Sequence, residues 1–229
     1  MGFIKDRGMR FGAEWDMVKK IAFVSLVFVA LSVCLSVGAP EPAVVQGPGQ
    51  WTIDVVFEHP REIMLLLASD KEPRRFWYTI LTLTNNTNED VDFYPKCELM
   101  TDTFEITPAG KDVPVAVFEN IKRRHQGSHP FLESLDQTSS KILQGADNTK
   151  DVVVIWPDFA PKAKNIRLYV AGLSNETVVI DHPVAKDEGG EPVKIYLRKT
   201  LELSYGVSGD PALRSEADLS YSGKRWVMR

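Results

Sequence analysis

The sequence predicts an all-β fold, an antiparallel β-sandwich carrying a short helical or irregular insertion, and three observations carry that prediction. Phe76 to Thr84, FWYTILTLT, is built from aromatic, β-branched and large aliphatic residues that suit a pleated surface better than a helix turn. Val193 to Tyr205 alternates in period two, with Val193, Ile195, Leu197, Leu201, Leu203 and Tyr205 on one face. Around these two runs, short apolar stretches recur between clusters of Asn, Asp, Gly and Pro, which gives about nine to eleven strands at the spacing of a sandwich.

The first 39 residues are set aside from the fold. Lys19 and Lys20 precede an apolar run, Ile21 to Val37, and the small residues Gly38 and Ala39 follow, which is the three-part plan of a secretory signal. Met17 opens a compact version of the same plan and is the alternative start. Two other fates fit the segment. Cys34, after Leu31-Ser32-Val33, stands as the lipidated cysteine of a lipoprotein box would, although Val33 replaces the usual small residue; and the apolar run approaches the ~20 residues that span a bilayer uncleaved. In each case residues beyond Ala39 face outward. The expected location is therefore periplasmic or extracellular, with the membrane reached only through an N-terminal anchor. Residues 40–50 form a Pro- and Gly-rich linker and 51–229 a single domain.

Taken in order, Trp51 to Glu58 places Trp51, Ile53, Val55 and Phe57 on one face, and His59-Pro60 breaks the strand. Ile63 to Ala68 is a second apolar run. Phe76 to Thr84 is apolar on both faces, with Trp77, Leu81 and Leu83 one way and Phe76, Tyr78 and Ile80 the other, the mark of a central strand covered on both sides. Asn85 to Asp90, NNTNED, is a turn of side chains that bond back to their own backbone. Val91 to Met100 reads as the next strand, the neighbouring edge of the same sheet, since Pro95 calls for an edge strand or a bulge at that point. Val113 to Phe118 continues the strand pattern.

From Phe118 to Lys150 the texture changes, and ligand contacts often sit in such crossings. Phe118 to Gln126 fits a short helix with Phe118 and Ile121 inward, and Ser128 fits the cap of a second one through Leu135. Strands return at Asp151 to Trp156 and at Asn165 to Leu173, where Ile166, Leu168 and Val170 point in and Arg167 and Tyr169 out. Val178 to Asp181 and the long run to Tyr205 follow, and Lys224 to Met228 closes a sheet edge with Trp226.

The strand ending in TLTNNT, the acidic turn and VDF after it, and the later IWPDF corner leading into IRLYVAGLSN resemble the immunoglobulin-like modules of exported bacterial proteins of unknown function. The resemblance spans most of Trp51 to Leu203 and implies an immunoglobulin-like sandwich. It implies no site, because its motifs belong to the fold and the cysteine pair of antibody-type domains is missing.

Charge and chemistry exclude more than they assign. Five of 27 basic and three of 31 acidic residues precede Pro40, so the remainder holds 22 against 28, a net charge of −6. That excludes a nucleic-acid partner, which calls for a basic stripe. Cys97, alone once Cys34 is removed, reads as an inert core thiol. No metal site or cofactor is assigned: His125 and His129 have a four-residue spacing that suits a metal on one helix face, but Gly127 and Pro130 interrupt a helix there and spacing supplies no third ligand. Arg123 and Arg124, beside Lys122, form the one basic run and are candidate ligand contacts. Trp156 and Tyr169, with Trp51, Trp77, Trp226 and Tyr196, are candidates for a sugar-stacking platform. Asp102, Asp158 and Asp181 are the carboxylates a hydrolase of envelope carbohydrate would draw on. The expected function is a non-catalytic exported module that binds or scaffolds a protein or carbohydrate of the cell envelope, the alternatives being a periplasmic metal-binding protein or that hydrolase.

Overall fold

A computed structural model describes residues 49–68, 70–138, 140–209 and 218–229; the signal segment, Met17, Cys34 and most of the linker lie outside them. Among the described residues no helix is long and apolar enough to cross a membrane. The fold is mostly β. In chain order the strands are β1 (Asp54–Phe57), β2 (Arg61–Leu65), β3 (Arg74–Thr84), β4 (Val91–Asp92), β5 (Lys96–Thr101), β6 (Ile106–Pro108), β7 (Glu133–Ser134), β8 (Lys141–Ile142), β9 (Lys150–Pro157), β10 (Asn165–Ala171), β11 (Thr177–Lys186), β12 (Pro192–Ser208) and β13 (Asp218–Met228). One α-helix, α1 (Val115–His125), lies between β6 and β7.

The first sheet is organised around β3. Strand β9 runs antiparallel along one edge, from Phe76 opposite Pro157 to Leu83 opposite Lys150. The other edge is shared by β1, along Leu81 to Thr84, and β2, along Arg74 to Tyr78. His59-Pro60 separates those two strands, as a residue pair without a second N–H to give must. The two-faced character of β3 has its reason here. Trp77, Leu81 and Leu83 enter a core shared with the second sheet, while Phe76, Tyr78 and Ile80 enter another under α1 with Ile63, Val117, Phe118, Ile121 and Leu132. Burying each such helix side chain contributes roughly 1.5–3 kcal/mol. The segment expected to be an insertion therefore supplies the cover for the outer face of the central strand. Lys122, Arg123 and Arg124 fall in the last turn of α1, where positive charge offsets the helix dipole.

The second sheet runs β6, β5, β10, β12 and β13, all antiparallel. Ile166, Leu168 and Val170 of β10 and Leu201, Leu203 and Tyr205 of β12 face Trp77, Val152, Val154 and Trp156 of the first sheet. Beyond Ala171, β11 takes over pairing with β12, starting at Thr177 opposite Arg198.

Three sequence expectations change. Val91 to Met100 is two strands rather than one: β4 pairs with β8 and β5 joins the second sheet, so β3 and its successor are not neighbours in one sheet. The chain crosses between sheets at Phe93 to Pro95, and Val91, Phe93, Cys97 and Leu99 still reach the shared core. Alternation reports which side chains are buried, and it holds through a change of sheet. The crossing is held by Asn85, fully buried, whose amide donates to Glu89 O and Ile142 O and whose carbonyl accepts from Thr87. Second, Val115 to Phe118 is helical, not strand. Third, Ser128 caps no helix. The Ser128 and His129 N–H groups donate to His125 O, and the chain then runs into β7, which pairs parallel to β9 after burying Leu132.

Candidate functional site

The fold gathers unusual features in two places. The first lies where α1 ends over the first sheet. Glu58 follows β1, and its N–H donates to Ile80 O at 2.9 Å, so it keeps register with β3 and shares the α1 face. Asp151 lies opposite Thr82, whose hydroxyl donates to Asp151 Oδ1 at 2.6 Å. The helix stops at His125, but the His129 N–H donates to His125 O at 2.7 Å, which preserves the helical relation of the two histidines past the helix end. Their ring centroids are 5.9 Å apart.

His129 is clamped between carboxylates, with Nδ1 2.8 Å from Asp151 Oδ2 and Nε2 3.0 Å from Glu58 Oε1. Burial alone lowers its pKa, but the hydrogen bonds to Asp151 and Glu58 and the charges behind them outweigh burial and raise it. His125, buried, is pushed the other way by desolvation; its Nε2 lies 3.0 Å from the Tyr78 hydroxyl. Arg61 Nη2 is 3.2 Å from Glu58 Oε2. The donor atoms of Glu58, His125 and His129 all lie within 4.8 Å of one another.

The second place is the ribbon from Thr177 to Arg198, where, among the described residues, β11 and the Pro192–Leu197 part of β12 pair only with each other and Arg198 also bonds to Arg229. The core-facing row of β12 is buried at Tyr205, Leu203 and Leu201 and reaches Lys199, also buried, which pairs with Glu176 at 2.9 Å. Past that ion pair the same row continues as Leu197, Ile195 and Val193, opposite Val178 and Ile180 of β11. Val178, Ile180 and Val193 are 41%, 42% and 37% exposed, so the apolar row of the core runs out into solvent. On the reverse face Val179 sits opposite Tyr196, both exposed. Two strands alone hold such a ribbon only marginally in water. Pro183 and the bulge between Asp181 and Lys186 interrupt the outer edge of β11, leaving Thr177 to Asp181 regular.

No family model, curated protein or solved structure matches this chain.

Of the residues singled out in the sequence, His125 and His129 come together as their spacing allows, and the third donor absent from spacing is Glu58, 71 residues from His129. Neither Glu58 nor Asp151 carries a local signal, because their partners are set by strand register. Arg123 and Arg124 are exposed on α1, and Arg123 donates to Asn120 Oδ1 at 3.0 Å. Trp156 is fully buried in the shared core and Trp77 is buried beside it. Tyr169, on the outer face of the second sheet, is buried beneath the Arg229 guanidinium, 4.1 Å from its ring centroid. Trp156 is therefore closed to a sugar ring, and Tyr169 is covered by Arg229. Their alternation places them correctly on a strand, but aromatic bulk is indifferent to which surface covers it.

The carboxylates are dispersed. Asp102 accepts from the Lys164 N–H, Asp158 from Trp77 Nε1 at 2.8 Å, and Asp181 pairs with Lys194. Cys97 is buried, and burial, reinforced by the neighbouring Glu98 charge, pushes its thiol up to about 12, which suits packing rather than reactivity.

Proposed function

We propose that the chain is an exported, non-catalytic β-sandwich module of immunoglobulin-like type that docks a protein of the cell envelope through the Thr177–Arg198 ribbon. The observation that carries this reading is the continuation of the core-facing row of β12 beyond its cover, as Leu197, Ile195 and Val193 opposite Val178 and Ile180. Aliphatic and β-branched side chains on a strand pair match a protein face, and the regular stretch Thr177 to Asp181 offers backbone groups to an added strand. A sugar platform asks for a row of exposed aromatic rings; Trp77, Trp156 and Tyr169 are buried, and the exposed Tyr196 and Trp226 lie on opposite faces of the second sheet. The export reading rests on Lys19, Lys20 and the apolar run Ile21 to Val37. The immunoglobulin-like reading rests on two largely antiparallel sheets packed on a shared core, with the chain crossing from β3 to β5 between them.

The test is a photo-activated cross-linking residue placed at Ile180 or Ile195 in cells of the source organism. The expected result is one discrete adduct heavier than the chain and different from its dimer, lost when the opposite residue of the pair is changed to lysine. Removing one such side chain from a protein contact costs about 1.5–3 kcal/mol, roughly ten- to a hundredfold in affinity. Cross-linking that yields only monomer, or only chain-to-chain dimer, refutes a foreign protein as the occupant.

A further inference from the structure

We propose that Glu58, His125 and His129 bind one divalent transition ion of the zinc class, with Asp151 as the positioning residue behind His129. The site is independent of the ribbon and lies on the opposite side of the first sheet from the shared core. Two imidazoles and one carboxylate are a donor set for borderline ions such as zinc, cobalt and nickel, and are poorly matched to calcium or magnesium, which take oxygen. Zinc at 2.0–2.2 Å from each ligand sets neighbouring donors about 3.3 Å apart. With the three donors already within 4.8 Å, side-chain rotation alone closes the difference.

Support behind the donors distinguishes this cluster from a chance meeting of polar groups. With Nδ1–H of His129 donating to Asp151 Oδ2 at 2.8 Å, Nε2 is left as the ligand atom, and Nε2 is the atom that faces Glu58 Oε1 at 3.0 Å. A carboxylate behind a metal-binding histidine orients the ring and raises its basicity. Asp151 is itself held by the Thr82 hydroxyl at 2.6 Å, and the Tyr78 hydroxyl, 3.0 Å from Nε2, fixes the ring of His125. The donors come from the end of β1, the last residue of α1 and the turn after it, so the site exists only when the helix is docked on the sheet. Three protein ligands leave a coordination position for water or a small anion.

The test uses the untagged full-length chain, stripped with a chelator and titrated with zinc chloride. The expected stoichiometry is one ion per chain, with a melting temperature that rises with zinc concentration. Glu58→Gln and His129→Gln are each expected to weaken zinc at least a hundredfold. Asp151→Asn is expected to weaken it ten- to a hundredfold, as loss of a supporting carboxylate does. His182→Gln, on the ribbon, leaves it unchanged. Circular dichroism checks the fold of each variant. X-ray absorption of the zinc-loaded wild type, which depends on no variant, is expected to show two imidazoles in the ligand shell. Wild-type protein that takes up no zinc overturns the proposal, as do a ligand shell without imidazole and undiminished affinity in both Glu58→Gln and His129→Gln.

Discussion

Truncating Ile121 to alanine tests whether α1 is part of the cooperative fold. Ile121 is fully buried under the central strand, in the cluster that holds Phe76, Tyr78, Ile80 and Leu132. The change removes three carbon atoms, worth about 2.4 kcal/mol at ~0.8 kcal/mol each, and the cavity left behind brings the expected loss to about 3–4 kcal/mol. Val115→Ala on the same helix is the control, because Val115 is 69% exposed and its loss is expected to stay within about 0.5 kcal/mol. The assay is urea unfolding followed by tryptophan fluorescence. Trp77 and Trp156 are paired across β3 and β9 and face the other core, so they report on the sheets and not on the helix. With a urea slope of ~2 kcal/mol/M, the Ile121→Ala midpoint drops by about 1.5–2 M. An unchanged fluorescence midpoint, with helical signal lost in a separate and earlier transition, refutes the view that α1 is the obligatory cover of the sheet.

Three further expectations follow from local geometry. Asn85→Ala strips Glu89 O, Ile142 O and Thr87 of their partner at a fully buried site and is expected to lower stability by about 1–3 kcal/mol, read from urea midpoints. Gly172→Ala is expected to be destabilising by at least ~1–3 kcal/mol by the same measurement, because φ is +93° and a new Cβ would lie 2.7 Å from Tyr94 O. Glu202 is buried, which raises its carboxyl pKa, but the hydrogen bonds and charge of Arg225 outweigh burial and hold it below the usual range. A carboxyl lowered by folding stabilises above its unfolded pKa and loses that contribution as pH falls through the folded one. Arg225→Gln therefore lowers the urea midpoint at pH 7, and the gap to wild type narrows as pH falls below 4; a gap that is constant with pH contradicts this pairing.

Side-chain direction was legible in the sequence, and strand partnership was not. The split of β3 into Trp77, Leu81, Leu83 on one face and Phe76, Tyr78, Ile80 on the other matches the two cores. The helix from Phe118 to Gln126 and its inward Phe118 and Ile121 match α1, which starts three residues earlier after Pro114. Val91 to Met100 shows the limit. Its alternation is the same whether it pairs with β3 or crosses to β10, because burial is common to both outcomes. The polar cluster shows a second limit. His125 and His129 are local and visible, whereas Glu58 and Asp151 meet them only through the register of β1 and β9 on β3. Aromatic residues show a third limit, since Trp156 carries the same pattern in a core as it would on a binding face.

One strand, β12, runs from exposed side chains at one end to fully buried ones further along. Toward Ser208 it lies between β10 and β13 with its inward side chains sealed; toward Pro192 it has β11 alone and water on both faces. Hydrogen exchange along its 17 residues becomes a ruler, slow on the Leu201 side of Lys199 and fast on the Val193 side. A partner seated on the ribbon, as proposed, would move that step toward the tip, so the amides of one continuous strand would record both the folding of the domain and the occupancy of the ribbon.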